Sequence, residues 1–170
     1  MKRLRYTISL LWLAAAAAVA SDAVPDGKPV LKVAYGDYYG IAPLVYSYAV
    51  WPNGQVQYTA AASKDNAVKT RGTKMLRTTP EKVIRAVNRL LDAGFLSLRS
   101  EVHTFMATLE AGGQVSLDRT IATHSQELTL EFHFENEDHK IVVSRSESFP
   151  WITAPLKEIE SEIGIRQLVE

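Results

Sequence analysis

Behind a basic head of Lys2, Arg3 and Arg5, an uncharged run from Tyr6 to Ala20 ends in Ala18-Val19-Ala20. That run decides how much of the chain is left to fold. A membrane-spanning helix needs about 20 apolar residues, and this stretch is shorter. Small residues stand at the two positions a signal peptidase inspects, and polar Ser21-Asp22 follows. Together these are the three parts of a secretory signal peptide. Residues 1–20 are expected to be removed by a cut after Ala20, or alternatively after Ala23. No later apolar segment is long enough to span a membrane, so the mature chain is expected to be soluble and exported.

Export would permit disulfides, but the chain has no cysteine. The same absence excludes a lipid attached to a cysteine at the cleavage point. Stability must come from an ordinary core, and a chain near 150 residues buries about 68–70% of its unfolded surface, enough without covalent staples. The full sequence holds 19 basic and 19 acidic residues. Loss of Lys2, Arg3 and Arg5 leaves the mature form three charges negative. Nucleic acid and anionic membrane both favour a basic surface and are not expected partners.

Residues 21–29, rich in Pro, Gly and Asp, are expected to form a flexible leader, and residues 30–170 a single α+β domain. Its expected core is a mostly antiparallel sheet of hairpins packed against one main helix and a short C-terminal helix. Strands are predicted at Val30 to Tyr35, Leu44 to Trp51, Gln55 to Ala61 and Val68 to Arg77. Asn53-Gly54 is the strongest short hairpin signal. As a two-residue loop it sets Trp51 opposite Val56 and Ala49 opposite Tyr58. Val45, Ala49, Trp51, Val56 and Tyr58 then share the core face, and Tyr46, Tyr48, Gln57 and Thr59 share the other.

The main helix is predicted over Pro80 to Ala93, capped by Thr79 and ended by Gly94. Its apolar stripe is Val83, Ile84, Val87, Leu90 and Leu91, with Lys82, Arg85 and Arg89 on a solvated opposite face. Phe95 tucks in, and Phe95 to Leu98 is a short extended piece. Ala111-Gly112-Gly113 marks a turn. A late hairpin pairs Glu127 to Phe134 with His139 to Ser144 around a turn at residues 135–138. Setting Phe134 opposite His139 brings Phe132 to Ile141 and Leu130 to Val143. A short last helix is predicted from about Pro155 to Ile163, buried through Leu156, Ile159 and Ile163 and stopped by Gly164.

Chemistry-bearing patterns are sparse. In that register His133 pairs with Lys140 and His139 with Phe134, so the two imidazoles point to opposite faces. Zinc needs three or four convergent ligands, and no metal-binding motif is present. No metal and no cofactor are expected. The chain lacks a nucleophile elbow, a Ser-x-x-Lys motif and a phosphate-binding glycine loop. Glu135, Glu137 and Asp138 cluster at a solvated hairpin tip, without the burial that tunes a carboxyl for acid catalysis.

Aromatic residues are the strongest remaining signal. Tyr35, Tyr38, Tyr39, Tyr46, Tyr48, Trp51 and Tyr58 all fall in the first β block. Tyr fits pleated surfaces, which accounts for most of them. Tyr38 and Tyr39, in the Asp37 to Pro43 loop, are the expected contact residues.

Several parts occur together: a Gly-x-x-Pro loop from Gly40 to Pro43, a Tyr-containing strand, the Asn53-Gly54 hairpin, and a Thr79-Pro80-capped helix ending Asp92-Ala93-Gly94-Phe95. A late hairpin and a C-terminal Leu/Ile helix follow. From about Tyr35 to Val169 this order resembles a bacterial family of small exported domains of unknown function, often found on lipoproteins. Members often carry Cys around that loop, where Ile41 and Ala42 stand here. Asp118 sits where the family tends to have an Asp. The resemblance implies an α+β fold and an envelope location, and transfers no catalytic residue.

The leading functional expectation is a non-catalytic periplasmic or secreted module that binds another envelope protein or a cell-wall component. Its weak binding candidates are Tyr38, Tyr39, His103 and Asp118. The alternatives are a small envelope hydrolase, with His103 or His124 as base oriented by Asp118, and an inhibitor of an envelope enzyme that presents the Asp37 to Pro43 loop.

Overall fold

The computed structural model describes residues 23–37, 45–61, 68–102, 105–109, 111, 114–119, 126–134, 137–144 and 146–170. Among these residues lie nine strands and three α-helices: β1 (Leu31–Asp37), β2 (Tyr46–Val50), β3 (Gln55–Ala60), β4 (Gly72–Arg77), α1 (Pro80–Asp92), β5 (Glu101–Val102), β6 (Phe105–Leu109), β7 (Val115–Arg119), β8 (Gln126–Phe134), β9 (Glu137–Ser144), α2 (Pro150–Glu162) and α3 (Arg166–Val169). Seven strands form one sheet in the order β4-β3-β2-β1-β8-β9-β5, and β6 and β7 pair separately. Every pairing is antiparallel except β5 with β9. The fold is α+β. Among the described residues no helix is long and apolar enough to cross a membrane.

The first hairpin corrects the two-residue loop. Val50 pairs with Val56 and Tyr48 with Tyr58. Trp51 N–H donates to the Gln55 carbonyl at 2.9 Å, and Gly54 N–H to the Trp51 carbonyl at 3.0 Å. The loop therefore holds three residues, Pro52-Asn53-Gly54, with Gly54 in left-handed backbone at φ +86°. That is the three-residue hairpin in which a tight turn is followed by a left-handed glycine. One extra loop residue shifts the register by one and flips the faces. Tyr46, Tyr48 and Val50 point into the core with Val56, Tyr58 and Ala60, and all six are buried. Trp51 is buried apart from that row, its indole N–H donating to the Gly27 carbonyl at 3.1 Å.

β1 carries the same face onward. Leu31, Val33 and Tyr35 lie between Val50, Tyr48 and Tyr46 on one side and Phe132, Leu130 and Leu128 on the other. In the late hairpin, Phe132 pairs with His139, Leu130 with Ile141 and His133 with Asp138. This lies two residues from the expected register, because β9 begins at Glu137 rather than His139. A two-residue shift preserves the faces, so the separation of His133 from His139 holds with different partners. On the outer face Lys32 and Lys140 flank Glu131 at 3.2 and 3.3 Å.

α1 is capped by the Thr79 side chain, which accepts from Lys82 N–H at 3.4 Å. Gly94 follows in left-handed backbone, and Phe95 is fully buried. The Phe95–Ser97 segment is a 3-10 turn, not the expected extended piece. A further expectation about this helix fails. Ile84 is 60% exposed, while Ala86 is buried with Val83, Val87 and Leu90. Those four fill the centre of the helical stripe at i, i+3, i+4 and i+7, and Ile84 falls on its flank. The basic residues do keep to the solvated side, and they also make ion pairs there. Arg85 pairs with Glu162 at 2.9 Å and Arg89 with Glu158 at 3.3 Å, bridging α1 to α2.

α2 is not short. It starts at Pro150, a favoured first helical position, and runs 13 residues with Pro155 inside it. Ile152 extends the Leu156, Ile159 and Ile163 stripe one turn upstream, and all four are buried against the same sheet face. β4 likewise starts at Gly72, later than Val68. Residues 68–70 are instead held by the C-terminus: Lys69 and Thr70 N–H donate to the Val169 and Leu168 carbonyls.

Candidate functional site

A cavity of about 520 Å³ opens where β1 and β2 meet α2 and the C-terminal segment. Its lining includes Tyr35 and Tyr46 from the strands, Lys157 and Glu160 from α2, and Arg166 and Glu170 from the chain end. The size falls within the range of small-molecule sites. The topology builds it. Tyr35 and Tyr46 are direct cross-strand partners on the core face, so their rings stack with centroids 4.6 Å apart. Tyr58, next across β2, lies 6.0 Å from Tyr46.

Glu160 is the unusual member. It falls four residues after Leu156 and eight after Ile152, which puts a carboxyl on the apolar side of α2. It is only 4% exposed. The Tyr46 hydroxyl donates to its Oε1 at 3.1 Å, and Tyr35 and Tyr48 bring their hydroxyls toward the same group. The Tyr48 hydroxyl is buried and closes no hydrogen bond among the described residues. No lysine, arginine or histidine among the described residues pairs with Glu160. The cation that bears on it most, Arg166, is forked onto Glu170 through two contacts of 2.8 Å.

Burial raises the Glu160 carboxyl above its ordinary value, against the opposing pull of the three tyrosines and Arg166. Burial and the nearby carboxylate also raise the Tyr35 and Tyr46 hydroxyls, which keeps them protonated as donors. The linkage has a definite sign. A raised carboxyl holds a proton in the folded state that the unfolded state has released. Stability is then fully present below the unfolded value of 4.5 and falls as pH rises through the raised one. Glu160→Gln removes this term. Thermal melts from pH 4 to 8 are expected to show the variant gaining on wild type as pH rises. A variant that instead loses ground with rising pH would mean that Glu160 is ionised and well compensated.

The residues singled out from sequence do not include Glu160. Tyr38, Tyr39, His103 and His124 are outside the described residues. Asp118 lies on β7, its backbone opposite Met106. Gly36 and Val45 line the cavity. His133 sits on the outer face with Nδ1 2.8 Å from Asp138, and His139 lies on the inner face beside Phe132. Among the described residues no group of three His, Asp or Glu could hold a metal ion. Glu160 was missed. Its signal was a lone carboxylate within the Leu156 and Ile159 stripe of a helix that sequence began one turn too late.

No family model matches this chain, and no curated protein is similar to it in sequence.

Proposed function

We propose that this chain is an exported envelope module that binds a small ligand in the tyrosine-walled cavity and performs no chemistry on it. The observation that carries the reading is the buried Glu160 carboxyl facing a 520 Å³ cavity beside two stacked tyrosines. A polar group kept inside an apolar wall costs stability unless it is satisfied, and orienting a ligand is the usual reason for such a group in a pocket. The basic head, short apolar run and small residues before Ser21 support export. The resemblance to exported bacterial domains supports the same location. A binding role fits the chemistry better than hydrolysis, because Glu160 is surrounded by hydroxyl donors rather than by a base and its orienting partner.

The test isolates the chain from the periplasmic fraction, where its first residue should be Ser21, and weighs it by native mass spectrometry. A small adduct is expected on wild type and not on Thr153→Trp, which places an indole in the cavity from the partly buried Thr153 on α2. Far-UV circular dichroism confirms that the variant folds. An adduct of equal occupancy on both proteins would place binding elsewhere.

A further inference from the structure

The proposed reading leaves open which ligand the cavity recognises, and its walls bear on that question. Glu160 contributes an acceptor at the floor. The Tyr46 hydroxyl donates to it at 3.1 Å. Tyr35 and Tyr46 line the same space as a stacked pair. The charged groups around Glu160 do not complete an ion pair with it. Arg166 on α3 is forked onto Glu170, Lys157 lies one turn back on α2 with its residue exposed, and Glu147, before α2, adds negative charge at the lining. β1 and β2 contribute only the hydroxyls of Tyr35, Tyr46 and Tyr48.

We infer that the cavity takes a free small molecule carrying an alkylammonium group, seated between the Glu160 carboxylate and the Tyr35–Tyr46 ring pair. An ammonium brings three N–H donors and no acceptor. The carboxylate oxygens and tyrosine hydroxyl oxygens retain lone pairs to receive them. A positive charge inside the cavity supplies the ion-pair partner that no described residue gives Glu160. A sugar or alcohol brings no positive charge to pair with the carboxylate.

The inference rests on the cavity being the binding site, and it adds a proton signature. The ammonium binds the ionised carboxylate, so wherever Glu160 is protonated in the free protein a proton leaves it for the buffer, and affinity rises with pH through its raised titration. Its test uses the mature chain with n-butylammonium, n-butanol and N-acetylglucosamine as probes, followed by methyl NMR of Val45, Val68 and Val169. Saturable shifts are expected with n-butylammonium alone, tighter at pH 8 than at pH 5. Glu160→Gln should weaken Kd at least about tenfold, the loss of one charge-assisted hydrogen bond. Calorimetry of wild type in two buffers of different ionisation enthalpy should show proton release, a readout that needs no variant. Equal binding of the neutral probes, affinity for n-butylammonium that does not rise from pH 5 to pH 8, or no binding by n-butylammonium would overturn the inference. None of these results bears on the adduct comparison with Thr153→Trp. Cosedimentation with phosphatidylethanolamine vesicles, lost in Glu160→Gln, would overturn the free-ligand assignment in favour of a lipid headgroup.

Discussion

Leu90→Ala is expected to lower unfolding stability by about 2–5 kcal/mol, the range for truncating a fully buried leucine whose surroundings cannot collapse into the gap. Leu90 has no exposed surface and belongs to the cluster that joins α1 to the sheet and to α2. Ile84, six residues earlier on the same helix, is 60% exposed. Ile84→Ala should therefore stay within about 0.5 kcal/mol, as for ordinary surface changes. Urea melts of the two variants make a direct test of which face of α1 is inside. Equal losses would mean that Ile84 is covered by something in solution, or that the helix is rotated.

α1 was legible because its signals are local. Thr79 and Pro80 start it and Gly94 ends it, and none of these depends on distant residues. The inner face was legible only in part. Hydrophobicity favours Ile84 over Ala86, but geometry favours the residue nearest the centre of the stripe. A small side chain there lets the helix approach the sheet. The pairing of Arg85 and Arg89 with Glu162 and Glu158 could not be read from α1 alone, because it depends on where α2 docks.

The candidate site was the least legible part, for the same reason. Tyr35, Tyr46 and Tyr48 reach Glu160 from positions more than 110 residues away in sequence, so no motif links them. Two local choices also hid it. A two-residue loop at Asn53-Gly54 turned Tyr46 and Tyr48 outward, and a helix begun at Pro155 left Glu160 looking like a solvent residue near its end. Once Ile152 joins the stripe, Glu160 lies on the apolar side. Once the loop has three residues, the tyrosines face it.

Gly54→Ala is the sharpest test of that loop. Gly54 holds left-handed backbone at φ +86°, which costs a residue bearing a Cβ about 1–3 kcal/mol where the structure enforces it. The added carbon would also run into the Thr78 carbonyl oxygen and press on Thr79, the residue that caps α1. Thr78 N–H donates to the Gly54 carbonyl at 2.8 Å, so the two backbones cannot part without breaking that bond. Overpacking of this kind costs a further amount of about 1–3 kcal/mol. Gly72→Ala is the control: Gly72 has φ +78° but nothing within 4 Å of an added Cβ, so it carries the backbone cost alone. Thermal and urea melts should rank Gly54→Ala well below Gly72→Ala. The damage should extend to α1, seen as earlier loss of helical circular dichroism, because the turn and the helix cap share one backbone contact. Losses of equal size would mean that the Thr78 contact gives way freely. The turn would then not hold the register that points Tyr46 and Tyr48 at Glu160.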